Sequence, residues 1–168
     1  MTTHRESRTI TATEPADPPP IGAMLALAAM LPIAAGAVYL WFGDEAQAFL
    51  ALNLTLLWAS GILMFLGGVR RGVSFRQPGG PTWAQLAIML WLFGLGFAAV
   101  VSTVWAYPLT AVILELIGYV SLAVFDPIAA KRGEAPLFFA TLRPFQMAIP
   151  IVALIATGAY IWQSPLFG

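Results

Sequence analysis

The chain has 168 residues, of which 60% are hydrophobic and only 10% charged, against about 25% charged in an ordinary soluble domain. That inventory cannot coat a water-soluble surface, and at about 20 apolar residues per crossing the length accommodates five short-looped membrane helices and no separate soluble catalytic domain. A formal net charge of zero removes the electrostatic case for binding nucleic acid, and the absence of cysteine removes disulfides, thiolate nucleophiles and thiolate-bound zinc or iron–sulfur centres together.

Residues 1–20 are polar, end in Ala16-Asp17-Pro18-Pro19-Pro20, and read as a disordered or extended tail. The single histidine, His4, lies in it, so a haem held by a histidine within the membrane is not expected. Arg5 and Arg8 among threonines suggest a mitochondrial transit peptide, but Glu6, Glu14 and Asp17 argue against one. The small residues Ala34, Ala35, Gly36 and Ala37 resemble a signal-peptide cleavage site, yet the apolar run continues past them through Trp41.

A first uncharged span is expected over 21–42, kinked at Pro32, and the acidic turn Gly43–Glu45 leads into a second span over 46–69. At 100° per residue Asn53, Ser60 and Gly67 fall on one line of that second helix with Gly61 and Gly68 beside them, a stripe that lets another helix approach closely. It is read as the packing centre. The connection Arg70–Pro81 ends in Pro78-Gly79-Gly80-Pro81; Thr82 then caps a third span over 82–104, and Tyr107-Pro108 turns the chain into a fourth over 108–125. Glu115 sits near the middle of the fourth span, where a charge costs about 2.5 to 3.5 kcal/mol on insertion scales. A loop over 126–143 and a fifth span over 144–162 complete the chain, with Pro144 in a tolerated first-turn position and Pro150 as a kink.

Charge placement tests this division independently of hydropathy. All eight Lys and Arg residues fall in three alternate segments: Arg5 and Arg8, then Arg70, Arg71 and Arg76, then Lys131, Arg132 and Arg143. By the positive-inside rule the amino end is cytoplasmic and the carboxyl end outside. Four spans would translocate the last basic group, so five are preferred despite Glu115. Trp41, Trp105, Tyr107 and Trp162 fall at the outer ends, as an interfacial belt requires. The fold expected is therefore all-α, a membrane bundle of five transmembrane helices.

Several short stretches carry a likeness: Leu31-Pro32, the run Ile62-Leu63-Met64-Phe65-Leu66-Gly67-Gly68-Val69-Arg70-Arg71-Gly72, Asp126, and Pro136 with Leu142-Arg143-Pro144. Together they resemble the domain-of-unknown-function family that includes the vertebrate transmembrane protein 69, over most of the chain from the first span to the fifth. Phe65-Leu66-Gly67-Gly68 with the following basic pair and Gly72 is the most specific part. Arg71 stands where that family has an aromatic and Met64 where it has Ser. The resemblance implies a multi-pass inner-membrane protein, bacterial or mitochondrial, and no catalytic residues.

The candidate functional residues are few. Ala111, Glu115 and Gly118 share a helix face, which turns the Glu115 carboxyl into the bundle, where the neutral acid has one hydrogen bond to donate to Asn53, Thr55 or a backbone carbonyl. It is either a structural group or a proton or cation relay. Arg70, Arg71, Arg76 and Arg143 are either topology determinants or a basic pocket for an anionic lipid headgroup. Ser60, Gly61, Gly67 and Gly68 are helix-packing residues; Asn53 is an interhelical donor or a ligand group; Trp58, Trp91 and Tyr119 are packing aromatics or a pigment or quinone site. Gly68 and Gly72 have GxxxG spacing but lie at the water interface. No metal or cofactor is expected. The leading functional expectation is a non-catalytic accessory, assembly or scaffold protein of a bacterial cytoplasmic membrane, or alternatively the mitochondrial inner membrane, packing as a homo-oligomer or within a larger membrane complex. A small transporter or proton-coupled channel using Glu115 is second, and a lipid- or quinone-binding enzyme third.

Overall fold

A computed structural model describes residues 15, 17–75 and 80–164. Most of the expected tail, together with Arg76, Pro78 and Gly79, lies outside the described residues. The chain forms α1 (Pro20–Ala28), α2 (Leu31–Phe42), α3 (Glu45–Ser74), α4 (Trp83–Val104), α5 (Pro108–Lys131) and α6 (Phe139–Gln163). With α1 and α2 taken as one crossing, five segments are long and apolar enough to span a membrane. The molecule is an all-helical membrane protein.

Local chemistry explains most boundaries. Asp44 caps α3 by accepting from the Ala46 N–H at 3.0 Å, and Thr82 with Gln85 forms a reciprocal capping box at the start of α4. Prolines occupy the first turn of α1, α2 and α5, where a missing N–H costs nothing. The first crossing is interrupted at the expected proline: Ala29 and Met30 keep helical dihedrals, but the hydrogen-bond ladder lapses there. Pro32 cannot donate to the Ala28 carbonyl and clashes with it, so the helix stops at Ala28 and restarts at Leu31.

Two of the freed carbonyls at this break are taken up by side chains from other helices. The Trp58 indole donates to the Ala29 carbonyl at 2.9 Å and the Gln146 amide to the Ala26 carbonyl at 2.8 Å. In lipid such groups have no water to turn to, which is why a broken helix needs these neighbours.

The helices form a closed ring in chain order. α2 packs on α3, α3 on α4, α4 on α5, α5 on α6, and α6 returns to α2. Closure is marked by Trp41 of α2, whose indole donates to the Ala156 carbonyl of α6 at 3.0 Å and whose ring meets Tyr160 edge-on. α3 also crosses the ring to touch α5, so it contacts three neighbours. The α3–α4 approach is close because both partners are small: a Cβ on Gly96 would lie 2.9 Å from the Ser60 carbonyl oxygen, and one on Gly67 would lie 3.3 Å from that of Met89. The outer surface carries Phe49, Phe65, Phe97, Val152 and Ile155, all exposed, as a bilayer allows and water does not.

The basic end departs from the expected loop over 126–143. α5 continues to Lys131 and α6 begins at Phe139, so Asp126 and Arg143 both lie within helices, and only residues 132–138 connect them. Likewise α3 runs past residue 69 to Ser74 and carries Arg70 and Arg71 on its last turns. Of the polar residues that looked like loop, Arg70, Asp126 and Arg143 are tolerated in helix because they pair with one another.

Candidate functional site

On α5 the residues Glu115, Tyr119, Leu122 and Asp126 follow one another at intervals of four, three and four, which places them on a single stripe, and all four are buried. The stripe faces α3. α3 and α5 are second and fourth in an up-and-down series of crossings and so run parallel, meeting through a ladder of side-chain bonds. The Ser60 hydroxyl donates to Glu115 Oε1 at 2.7 Å, the Tyr119 hydroxyl donates to the Ala59 carbonyl at 2.8 Å, and Arg70 Nη1 reaches Asp126 Oδ1. Glu115 Oε2 is buried and has no partner.

Asp126 is the centre of the basic end. Besides Arg70 it holds Arg143 of α6, whose Nε lies 2.9 Å from Asp126 Oδ2. These are the two ion pairs among the described residues. Arg143 Nη1 donates to Gln146 Oε1 at 2.9 Å, and the guanidinium lies 4.2 Å over the Phe139 ring. A chain of contacts thus runs from α3 through α5 and α6 to the Ala26 carbonyl of α1. Beside it, between α1, α3 and α6, is an apolar cavity of 490 Å³ to which, among the described residues, Arg143 and Gln146 bring the polar side chains.

The structure sorts the expected residues into different roles. Asn53 and Thr55 do not bond Glu115: each donates to a carbonyl four residues earlier on α3, and Ser60 takes their place. Ser60 and Gly67 are buried against α4, whereas Gly61 and Gly68 meet nothing within 4 Å and look outward. The arginine group divides too: Arg70 and Arg143 converge on Asp126, Arg71 lies 4.0 Å over the Phe75 ring, and Arg76 is outside the described residues. The membrane aromatics have anchored polar tips, Trp58 on Ala29, Trp91 on Ser121 at 3.3 Å, and Tyr119 on Ala59.

Asp126 and Gln146 were not among the expected site residues. The signal for Asp126 was its register with Glu115, eleven residues on and so on the same face; for Gln146 it was its place one turn after Arg143. Among the described residues no group of three or more His, Cys, Asp or Glu side chains could hold a metal ion. Comparison of the chain with family models, with curated proteins and with solved structures finds no match.

Proposed function

We propose that this membrane protein is a non-catalytic accessory or assembly component of a bacterial cytoplasmic membrane, with its basic end on the cytoplasmic side. The observation that carries the reading is how the ring's buried ionisable side chains are engaged: Arg70 and Arg143 are bound to Asp126, and Glu115 is bound to Ser60. Groups so engaged serve packing. Glu115 and Asp126 are about 16 Å apart along α5 at 1.5 Å per residue, with Tyr119 as the one ionisable group between them, a sparse series for a conducting path.

Assembly would use the outward face of α3, where Gly61, Gly68 and Gly72 leave open space, and not the Ser60–Gly67 line that α4 already covers. Membership of the transmembrane protein 69 family is part of the proposal. Its support is spatial: Arg70, Asp126 and Arg143 belong to separate stretches of that likeness and meet in one ion-pair cluster.

Native mass analysis of protein extracted in mild detergent tests the assembly reading. A stable dimer or a copurifying membrane partner is expected, lost in Gly68→Leu with the fold retained. A lone monomer with no companion overturns the reading. The unpartnered Glu115 Oε2 favours one second reading, a proton- or cation-coupled transporter. In that case Glu115→Gln abolishes flux in proteoliposomes, and unchanged flux removes Glu115 from any such mechanism.

A further inference from the structure

The cavity between α1, α3 and α6 has no part in the assembly reading. Its 490 Å³ lies in the range of pockets that enclose small organic ligands. It is a groove open to the outer surface: Leu25 and Phe65, both largely exposed, line it with Leu142, and Arg143 and Gln146 supply its polar end. The Gln146 amide nitrogen is committed to Ala26. Arg143 differs: a guanidinium has five N–H donors, of which the bond to Gln146 engages one, while Nε lies beside Asp126 Oδ2 as an ion pair without hydrogen-bond geometry.

Charge favours an anion there. Arg70 and Arg143 share the single carboxylate of Asp126, so the cluster carries one cation in excess. Across the whole basic end the described residues bring five cations, Arg70, Arg71, Lys131, Arg132 and Arg143, against three carboxylates, Asp17, Asp126 and Glu134. An apolar space walled by helices at the level of one leaflet, with a net positive group at its polar end, matches an amphiphile with an acidic head.

The geometry points to a site for one acyl chain of an anionic phospholipid, with the phosphate accepting from Arg143. Entry is sideways from the leaflet at the basic end. The wall formed by α1 is the loosest in the molecule, since that helix has no buried residue and packs lightly on α2 and α6. A lipid therefore reaches the cavity without opening the ring, and a monomer binds it as well as an oligomer does.

The test uses the full chain in vesicles of phosphatidylcholine and phosphatidylglycerol in equal parts, extracted in mild detergent and read by native mass spectrometry. One retained phospholipid is expected, with phosphatidylglycerol favoured about fivefold, the ratio that corresponds to about 1 kcal/mol for one basic residue near an anionic surface. Gly22→Leu fills the cavity from α1, where an added Cβ meets nothing nearer than Pro19 Cβ at 4.0 Å, and leaves the ion pairs untouched. It should bring retention of both lipids to background at unchanged melting temperature; Leu25→Trp makes the same test should Gly22→Leu unfold. Arg143→Gln should keep the lipid and lose the preference. Equal retention of the two lipids, no retained lipid, undiminished retention in a folded cavity-filled variant, or a free fatty acid or quinone in place of phospholipid would each overturn the assignment.

Discussion

Asp126 binds two guanidinium groups with a side chain that has no exposed surface, so its removal strands cations rather than merely deleting a contact. Breaking a buried pair from one side costs about 3 to 5 kcal/mol, whereas replacing both partners by apolar groups is often neutral. Asp126→Ala should therefore lower the melting temperature in detergent sharply, and the triple variant Arg70→Leu/Asp126→Leu/Arg143→Leu should recover much of the loss. Failure of the triple variant to recover would mean that the charged cluster contributes more than its mutual pairing, Gln146 included. The upper rungs of the ladder are weaker. Tyr119→Phe removes one interhelical hydrogen bond, for which about 0.6 kcal/mol is typical in a membrane bundle, whereas Ser60→Ala leaves the Glu115 carboxyl buried without its bond and should cost about 1 to 3 kcal/mol, a difference that chemical denaturation should show. Glu115 was readable from the sequence because a charge in the middle of an apolar run stands out. Its partner was not, since Asn53, Thr55 and Ser60 all lie within two turns of one helix and only the crossing geometry selects among them.

The elements were legible where composition decides them. Five uncharged or nearly uncharged stretches, punctuated by Gly43-Asp44, the Thr82 cap and Tyr107-Pro108, locate the crossings within a few residues. At the basic end the same reasoning failed for a physical reason. Hydropathy scores Asp126 and Arg143 singly, while their helical placement rests on a mutual pairing across 17 positions and two helices. The small-residue stripe of α3 was visible, but which of its members face a neighbour depends on the angle at which α4 crosses. That angle makes a test. Gly96→Ala drives a Cβ against the Ser60 backbone, and overpacking of this kind costs about 1 to 3 kcal/mol. Gly94→Ala, two residues away and facing open space, should stay within about 0.5 kcal/mol. Thermal unfolding of the two variants in one detergent compares them directly, and equal stability would mean that α3 and α4 do not meet at Gly96.

Seen whole, the molecule is polarised: cations gather at one end of the ring and aromatic side chains such as Trp105 and Trp162 at the other. Under the proposed orientation, with the basic end cytoplasmic, a cysteine introduced at Gln163 should react with a membrane-impermeant maleimide in intact cells, and one introduced at Arg132 should react only after lysis. The native chain has no cysteine, so each label reports one position. Reaction of both from the same side would overturn the five-crossing topology.

The contact of Trp41 with Ala156 joins the first crossing to the last, 115 residues further along the chain. Biosynthesis must then leave the circle incomplete until α6 is made. While the earlier crossings wait, Asp126 has Arg70 alone for company, the carbonyl of Ala26 has no amide to meet, and α2 and α5 both present unmatched flanks to the bilayer. Arrival of α6 resolves all of these together, so a nascent chain halted before Phe139 would offer quality-control proteases a recognisably unfinished molecule.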